Sequence, residues 1–590
     1  MENELKEYIV SLGSYDDLDS FYKDMETSGS NGFVPEREVK IISRRPTSRN
    51  THYLMSRSEA EVLINDPRVI AVSPTIYDIG LEVKPCARFS KSAQATQGEL
   101  NWGLLRSYSG QHTPTWGEDV IPQGFSVDYG YTAGPVREVP DDFLKIFPQG
   151  EDVDVVISDG IINPDHPEMK LNPDGTGPSR VIQYNWYQHN PQVNNTPASQ
   201  YQYDFNNPSF TIENNHGAHV AGIACGNTQG WARKANIYNI SPYRDDLYTH
   251  IDYIRAFHNS KPVNPKTGRK NPTIVNLSWR LAGTFFGKMS SINYRNQTYN
   301  NVSTFTVNYL RDTFHLNCFK PSSVVEVING VTVSRPPTSD EMSVYYNGQD
   351  ITIEYDIMDA IKDGIIFVGA AGNEIIYMSL VGDQDYNNRI CFTPSGSPVP
   401  TCIYFSRPAS PSGAVDWSRN GIPNVICVGA SDSLSQDCKA YYSNIGPRID
   451  VFAPGTWIIS SINSTTTPNN ISTTRDARNT NFFLQKYNGT SMASPQVCGI
   501  LACMLQKYPN MNQWTARDFL EKQMVKKNQL NPLFPPYYQQ FFTKLTNTKN
   551  NYLFFPKEAV EVGQKFPNST FFVRAESGKL FPRTKNKFFK

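Results

Sequence analysis

Asn488-Gly489-Thr490-Ser491-Met492-Ala493-Ser494-Pro495 runs directly into the apolar segment Val497-Cys498-Gly499-Ile500-Leu501-Ala502-Cys503-Met504-Leu505. Small residues, a hydroxyl and then an apolar run predict a buried helix with Ser491 in its first turn. Unpaired N–H groups and the positive dipole end favour a developing oxyanion there, so the position suits a nucleophile. Pro495 falls early in the run, where its missing N–H costs little. Taken alone, Thr-Ser before an apolar helix is most often a simple cap, and the segments further out decide between the two uses.

Upstream, His216-Gly217-Ala218-His219-Val220-Ala221-Gly222 is a second polar entry into a small-residue helix. Further upstream, Val153-Asp154-Val155-Val156-Ile157-Ser158-Asp159-Gly160 predicts a short buried strand ending in an acid, at the rim of a parallel sheet where sites collect. Asp152, Asp154, Asp159 and Asp165 all offer a carboxylate near this end. Gly364 to Glu374 is another apolar strand, and it ends in Gly372-Asn373. By itself Gly-Asn is a common turn. In chain order the segments supply an acid, a histidine and a serine, the set needed to activate a hydroxyl nucleophile.

These segments, in this order, resemble the subtilisin-like serine peptidases, whose signatures are an acid at a strand end, a His-Gly-X-His helix start and Gly-Thr-Ser-Met-Ala. The resemblance implies Ser491 as nucleophile, His216 as general base and endopeptidase activity through an acyl-enzyme. It selects Asp159 as the acid, which precedes His166-Pro167-Glu168 by seven residues as in the family. Gly160 follows that acid at once, earlier than the family pattern has it, and this bears on the local turn. Asn373 corresponds to the oxyanion-hole donor. Asn276-Leu277-Ser278-Trp279-Arg280 corresponds to one wall of the primary specificity pocket, which makes Ser278 and Trp279 substrate-binding candidates. Small residues usually follow in the family where this chain has Trp279 and Arg280. His166 and His219 also fall on motif positions and are expected to be structural, since a triad uses one base. No cofactor is required. Family members often bind calcium, but no acidic loop here has a spacing that specifies a site, and no Cys/His spacing suggests zinc.

The fold class expected is α/β, a subtilisin-like parallel sheet with helices on both faces, preceded by a small ferredoxin-like α+β domain. Residues 7–75 carry a βαββαβ pattern. Its place before the catalytic motifs resembles the family's inhibitor propeptide, which implies a self-processing zymogen with residues 1–83 as propeptide and own-chain inhibitor. Residues 84–98 are polar and small, as in a cleavable linker. The expected divisions then run 99–150 for the start of the mature enzyme and 151–510 for the catalytic domain, with a polar, Tyr/Asn-rich insertion at 281–350 on surface loops. The last, 511–590, holds a helix from Trp514 and a basic aromatic tail with Phe-Pro at 555, 566 and 581.

Composition bounds the rest. With 39% hydrophobic residues the chain can bury a large core, and a net charge of −1 gives no reason to expect nucleic acid as partner. No apolar run is long enough to span a membrane. Nine cysteines, an odd number, argue against a complete disulfide framework; only Cys391 and Cys402, flanking a Pro/Ser/Gly-rich loop, invite a bridge. The start Met1 to Glu7 shows no secretory pattern, so a cytoplasmic or virion-associated setting is favoured over a secreted one. This and the tail resemble virus- or phage-encoded members, with the tail as a docking segment for a large assembly. Protein or peptide substrates are the expected partners. The competing class is a structural or assembly protein that keeps the fold with little turnover; a scaffold has no physical need for Asn373 and His216 together.

Overall fold

Strand Asp154–Ser158 is buried at all five positions, as a strand covered on both faces must be. In the computed structural model it belongs to a nine-stranded sheet. The order across that sheet is Val525–Lys527, Asn551–Leu553, Val451–Pro454, Ile426–Ser431, Ile366–Ala370, Thr273–Leu277, Asp154–Ser158, Asn236–Ile240 and Val181–Ile182. Neighbours are parallel throughout except for the outermost pair, Val525–Lys527 with Asn551–Leu553.

Successive side chains go to opposite faces. Val155, Ile157, Ile274, Ile366 and Val368 pack with helices Asn215–Cys225 and Thr490–Lys507. Val156, Val275, Leu277 and Phe367 pack on the other side with His250–Ser260 and Ile351–Lys362. Helices therefore cover both faces, as the sequence predicts. The structure describes most of residues 5–74, 148–193, 196–200, 215–241, 250–393, 401–530 and 545–556, with short gaps inside these ranges, and short elements at 99–100, 102–109, 126–127, 572–574 and 580–582. The linker 84–98 and the Phe566-Pro567 pair lie outside the described residues.

Two units partition the chain, Met1–Ala87 and Arg88–Lys590. The first runs β1 (Lys6–Leu12), α1 (Leu18–Glu26), β2 (Ile41–Ser43), β3 (Asn50–Met55), α2 (Arg57–Leu63) and β4 (Val69–Pro74). Its antiparallel order β2-β3-β1-β4 is the ferredoxin-like connectivity. Val10 and Leu12 on one face of β1 meet Leu18, Phe21 and Met25, which recur at helical spacing along α1. Ser56 and Glu59 form a capping box that starts α2.

The insertion 281–350 is a correction to the expectation of surface loops. Cys318–Phe319, Glu341–Asn347, Ala282–Tyr294, Arg389–Thr393 and Thr401–Tyr404 line up in one sheet, with Gln297–Tyr299 paired to Ala282–Tyr294. Met289, Ile292, Leu310, Phe314, Met342 and Val344 share a core with Ile390, Phe392 and Phe405. Part of that core comes from outside the insertion, so its apolar positions look isolated when 281–350 is read alone. Cys391 and Cys402 stand opposite each other across the last pair of strands and form a disulfide.

The sheet also continues past 510. Asn551–Leu553 adds to Val451–Pro454, and Phe555 is buried, stacked on Trp231 with ring centroids 5.5 Å apart. Its N–H donates to the Ser107 carbonyl at 2.7 Å, in the helix Trp102–Ser109. The first Phe-Pro of the tail is thus a core element of its own unit. Among the described residues no helix is long and apolar enough to cross a membrane.

Candidate active site

Helix Thr490–Lys507 is almost wholly buried and carries Pro495 inside it. A proline at this position removes the N–H that would bond the carbonyl four residues earlier, which is that of Ser491. The Ser278 hydroxyl makes good the loss, donating to the Ser491 carbonyl at 3.0 Å. Ser278 Oγ accepts in turn from Asn276 Nδ2 at 2.8 Å, and Ser494 Oγ donates to Asn276 Oδ1 at 3.0 Å. Ser278, expected to bind substrate, is buried and ties the strand exit to the first turn of the helix.

The Ser491 hydroxyl donates to the Ser278 carbonyl at 3.1 Å. Among the described residues the Ser491 N–H has no partner, as expected for a first-turn donor.

Asp159 ends its strand fully buried. The Asn239 side-chain amide donates to the carbonyls of Ile157, Asp159 and Gly160 at 3.1, 3.3 and 3.1 Å, which fixes the turn after the acid. Gly160 N–H donates to Asp159 Oδ1 at 2.7 Å, so the early glycine holds the carboxylate instead of displacing it. Gly217 lies so close to the Gly160 carbonyl that any Cβ there would collide; this contact brings the start of Asn215–Cys225 against the strand end. His216 Nδ1 then lies 2.8 and 3.0 Å from the two Asp159 oxygens. Burial pulls the imidazolium pKa down, but the charge and hydrogen bond of Asp159 outweigh it and the net shift is upward. Nδ1 is the protonated nitrogen of the neutral ring, because its partner is a carboxylate. Nε2 is left as the acceptor, and among the described residues it has no partner.

Asn373 follows strand Ile366–Ala370 and is exposed. Its Oδ1 accepts from both the N–H and the hydroxyl of Thr490, each at 2.9 Å. The Thr490 hydroxyl itself accepts from Gly372 N–H at 3.0 Å, so its proton is free to donate. A backbone N–H can only donate, so the amide oxygen must face Thr490 and Nδ2 is left as an outward donor. Thr490 lies inside the motif yet shows no role in sequence, since its partner is far away in the chain. Asn444 is a second such residue: it donates to the Ala371 carbonyl at 2.7 Å and accepts from Ile376 N–H at 2.8 Å, clamping the loop that carries Asn373.

Trp279 corrects the sequence expectation. Its indole N–H donates to Ser158 Oγ at 2.8 Å, its ring lies 5.6 Å from that of His250, and it is buried among the side chains of the opposite sheet face. The cause is the period-2 alternation of a strand: Asn276 and Ser278 face the nucleophile helix, so Leu277 and Trp279 face away. His166 and His219 are structural, as expected. The His219 Nε2 contacts the Gln485 carbonyl at 2.8 Å, its ring stacks on Tyr487, and burial lowers its pKa to about 3. His166 accepts from Glu168 N–H at Nδ1 and contacts the Phe483 carbonyl through Nε2. Among the described residues no three His, Cys, Asp or Glu side chains come together as metal ligands.

The profile of the subtilase family matches residues 150–534. An extracellular protease of Xanthomonas campestris is 46% identical over 87 residues, 15% of this chain and 13% of that protein. Alkaline protease 2 of Aspergillus fumigatus is 34% identical over 172 residues, 28% of this chain and 30% of that protein. Subtilisin E of Bacillus subtilis is 36% identical over 99 residues, 17% of this chain and 21% of that protein. The chain thus spans between 13% and 30% of the length of these curated relatives. Among solved structures, a cold adapted subtilisin-like serine proteinase matches with a TM-score of 0.38 and 18% identity, over 77% of this chain and 98% of that one.

Proposed function

This chain belongs to the subtilase family, and from that premise we propose that it is a serine endopeptidase acting on protein or peptide substrates. The Ser491 hydroxyl leaves the Ser278 carbonyl, turns to His216 Nε2 and gives up its proton as Oγ attacks the peptide carbonyl. The imidazolium that forms sits against the Asp159 carboxylate. Asn373 Nδ2 and the Ser491 N–H hold the oxyanion, both unpartnered beforehand among the described residues and so needing no reorganisation. His216 returns the proton to the leaving amine, and water repeats the sequence on the acyl-enzyme. The observation that carries this reading is the double contact of Asp159 with His216 Nδ1, which leaves Nε2 an acceptor. Peptide hydrolysis that is unchanged in Ser491→Ala would remove it.

The enzyme is made as a zymogen. Residues 1–83 form the inhibitory propeptide, and the chain cuts its own linker within 84–98. The ferredoxin-like connectivity of the first unit supports this, together with its place before the catalytic motifs. Mass spectrometry of purified protein should find two fragments for the wild type and one intact 590-residue chain for Ser491→Ala. A wild type that stays whole while digesting other proteins would leave the first unit an accessory domain.

A further inference from the structure

Resting on the proteolytic reading above, we propose that Arg280 decides which side chain is accepted on the acyl side of the scissile bond: it closes the crevice beside Ser491 to large residues, and the enzyme cuts after Gly, Ala or Ser.

Strands Thr273–Leu277 and Ile366–Ala370 are parallel neighbours with Leu277 opposite Gly369. Their exits, 278–280 and 371–374, therefore leave the carboxyl edge of the sheet side by side, where crevices in such sheets form. One exit meets Ser491 through the Ser278 carbonyl, and the other carries Asn373. A carbonyl that faces Ser491 Oγ and Asn373 Nδ2 together lies between the two exits, and the side chain on its acyl carbon projects into the gap they enclose. Gly372 has no side chain to fill that gap, and its φ of +106° suits glycine.

Arg280 fills it from the opposite wall. It lies in the exit just past the end of Thr273–Leu277. A Cβ placed on Gly372 would come within 2.5 Å of Asn444 Nδ2 on the loop clamp, and within 2.6 Å of Arg280 Nε and 2.9 Å of its Cδ, which lays the guanidinium stem against the Gly372 backbone. The side chain is only 11% exposed. Its Nη1 donates to Asn347 Oδ1 at 2.6 Å, and Asn347 Nδ2 donates to the Arg407 carbonyl at 2.9 Å. Nη2 is ion-paired with Glu374, whose Oε2 also accepts the Asn373 N–H at 2.9 Å. Asn347 ends the strand Glu341–Asn347 of the insertion, so this extra sheet anchors the plug.

Two consequences follow for the substrate. A bulky residue would have to break an ion pair between the largely buried Arg280 and the partly buried Glu374 to enter, and separating one charge from its partner in such surroundings is costly. A carboxylate gains little, because Glu374 already neutralises the guanidinium. A residue with almost no side chain fits the space that remains.

The test digests peptides randomised at the residue before the cut with the full-length wild type, and reads products by mass spectrometry. A fluorophosphonate that labels an activated serine is run in parallel. Wild type should favour Gly, Ala and Ser over Leu, Phe and Glu by at least about 10-fold, the scale on which pocket size selects. The double variant Arg280→Ala/Glu374→Gln, which leaves no lone charge and keeps an acceptor for Asn373 N–H, should shift the ratio toward Leu and Phe by at least about 10-fold. A labelled wild-type enzyme that cuts after Phe or Glu as readily as after Ala overturns the role of Arg280 whatever the variant does. A wild type with neither labelling nor cleavage overturns the proteolytic reading itself, and the plug falls with it.

Discussion

The two halves of the site are built on opposite principles. The acid and base half is charged and closed: Asp159 is fully buried, its oxygens engage His216 and Gly160, and the pKa of His216 is raised. The nucleophile half works through neutral donors. Hydroxyls and amides of Asn276, Ser278, Thr490 and Asn373 hold one another, while among the described residues Asn373 Nδ2 and the Ser491 N–H point at nothing. The first arrangement maintains a charge that exists throughout the reaction. In the proposed reaction the second keeps donors idle for a charge that appears only in the transition state, which is where binding accelerates a reaction.

Asp159→Asn attacks the charged half and should have the largest effect, lowering kcat by roughly 10⁴-fold, the scale measured for the same exchange of acid for amide in another serine-protease triad. It should also move the pH profile. Activity needs neutral His216, so kcat/KM rises with pH through the pKa of that group, and the raised value puts the midpoint above the ordinary 6.5. With the Asp159 charge gone only burial acts on the ring, so the midpoint should fall; an unmoved acid limb would mean that His216 is not the titrating base.

Asn373→Ala removes one idle donor. A loss in kcat of roughly 10²–10³ is expected with KM little changed, a figure measured on a subtilisin and carried over to this relative. Thr490→Val is a finer probe: it keeps the backbone N–H contact to Oδ1 and drops the hydroxyl one, along with the acceptor of Gly372 N–H. Its loss should be smaller than that of Asn373→Ala, and an equal loss would show that the amide orientation rests on the hydroxyl.

The smallest effect sought is on stability. Ser278→Ala leaves the Ser491 carbonyl without its donor and should cost about 1–3 kcal/mol in denaturant unfolding. In a Pro495→Ala background the helix supplies its own N–H, so the same substitution should cost clearly less. Equal costs in the two backgrounds would separate Ser278 from the proline.

The parts of the site legible in sequence are those whose signals lie within one short segment. Gly489 to Pro495 and His216 to Gly222 each carry a whole helix start, and among four candidate acids the resemblance to the family, through its spacing to His166, points to Asp159. The parallel sheet and its two covered faces are likewise legible in the alternation of apolar strands and helices. Trp279 is different, because in sequence a strand exit looks like a pocket wall; the period-2 alternation from Asn276 is the signal that turns it inward. The insertion looks like loops because its core is completed by Ile390, Phe392 and Phe405, beyond the segment's own ends. Thr490 and Asn444 act on residues distant in the chain, and no local pattern announces such pairings.

The place of Asn551–Leu553 has a consequence for how the molecule comes into being. This strand lies between Val451–Pro454 and Val525–Lys527, and Phe555 beside it closes on Ser107 and Trp231. The sheet is therefore incomplete on a ribosome until residues 551–553 have emerged, and contacts between residues so far apart make folding slow. The helix that presents Ser491 is thus translated well before Asn551–Leu553, the strand that extends the sheet beneath it.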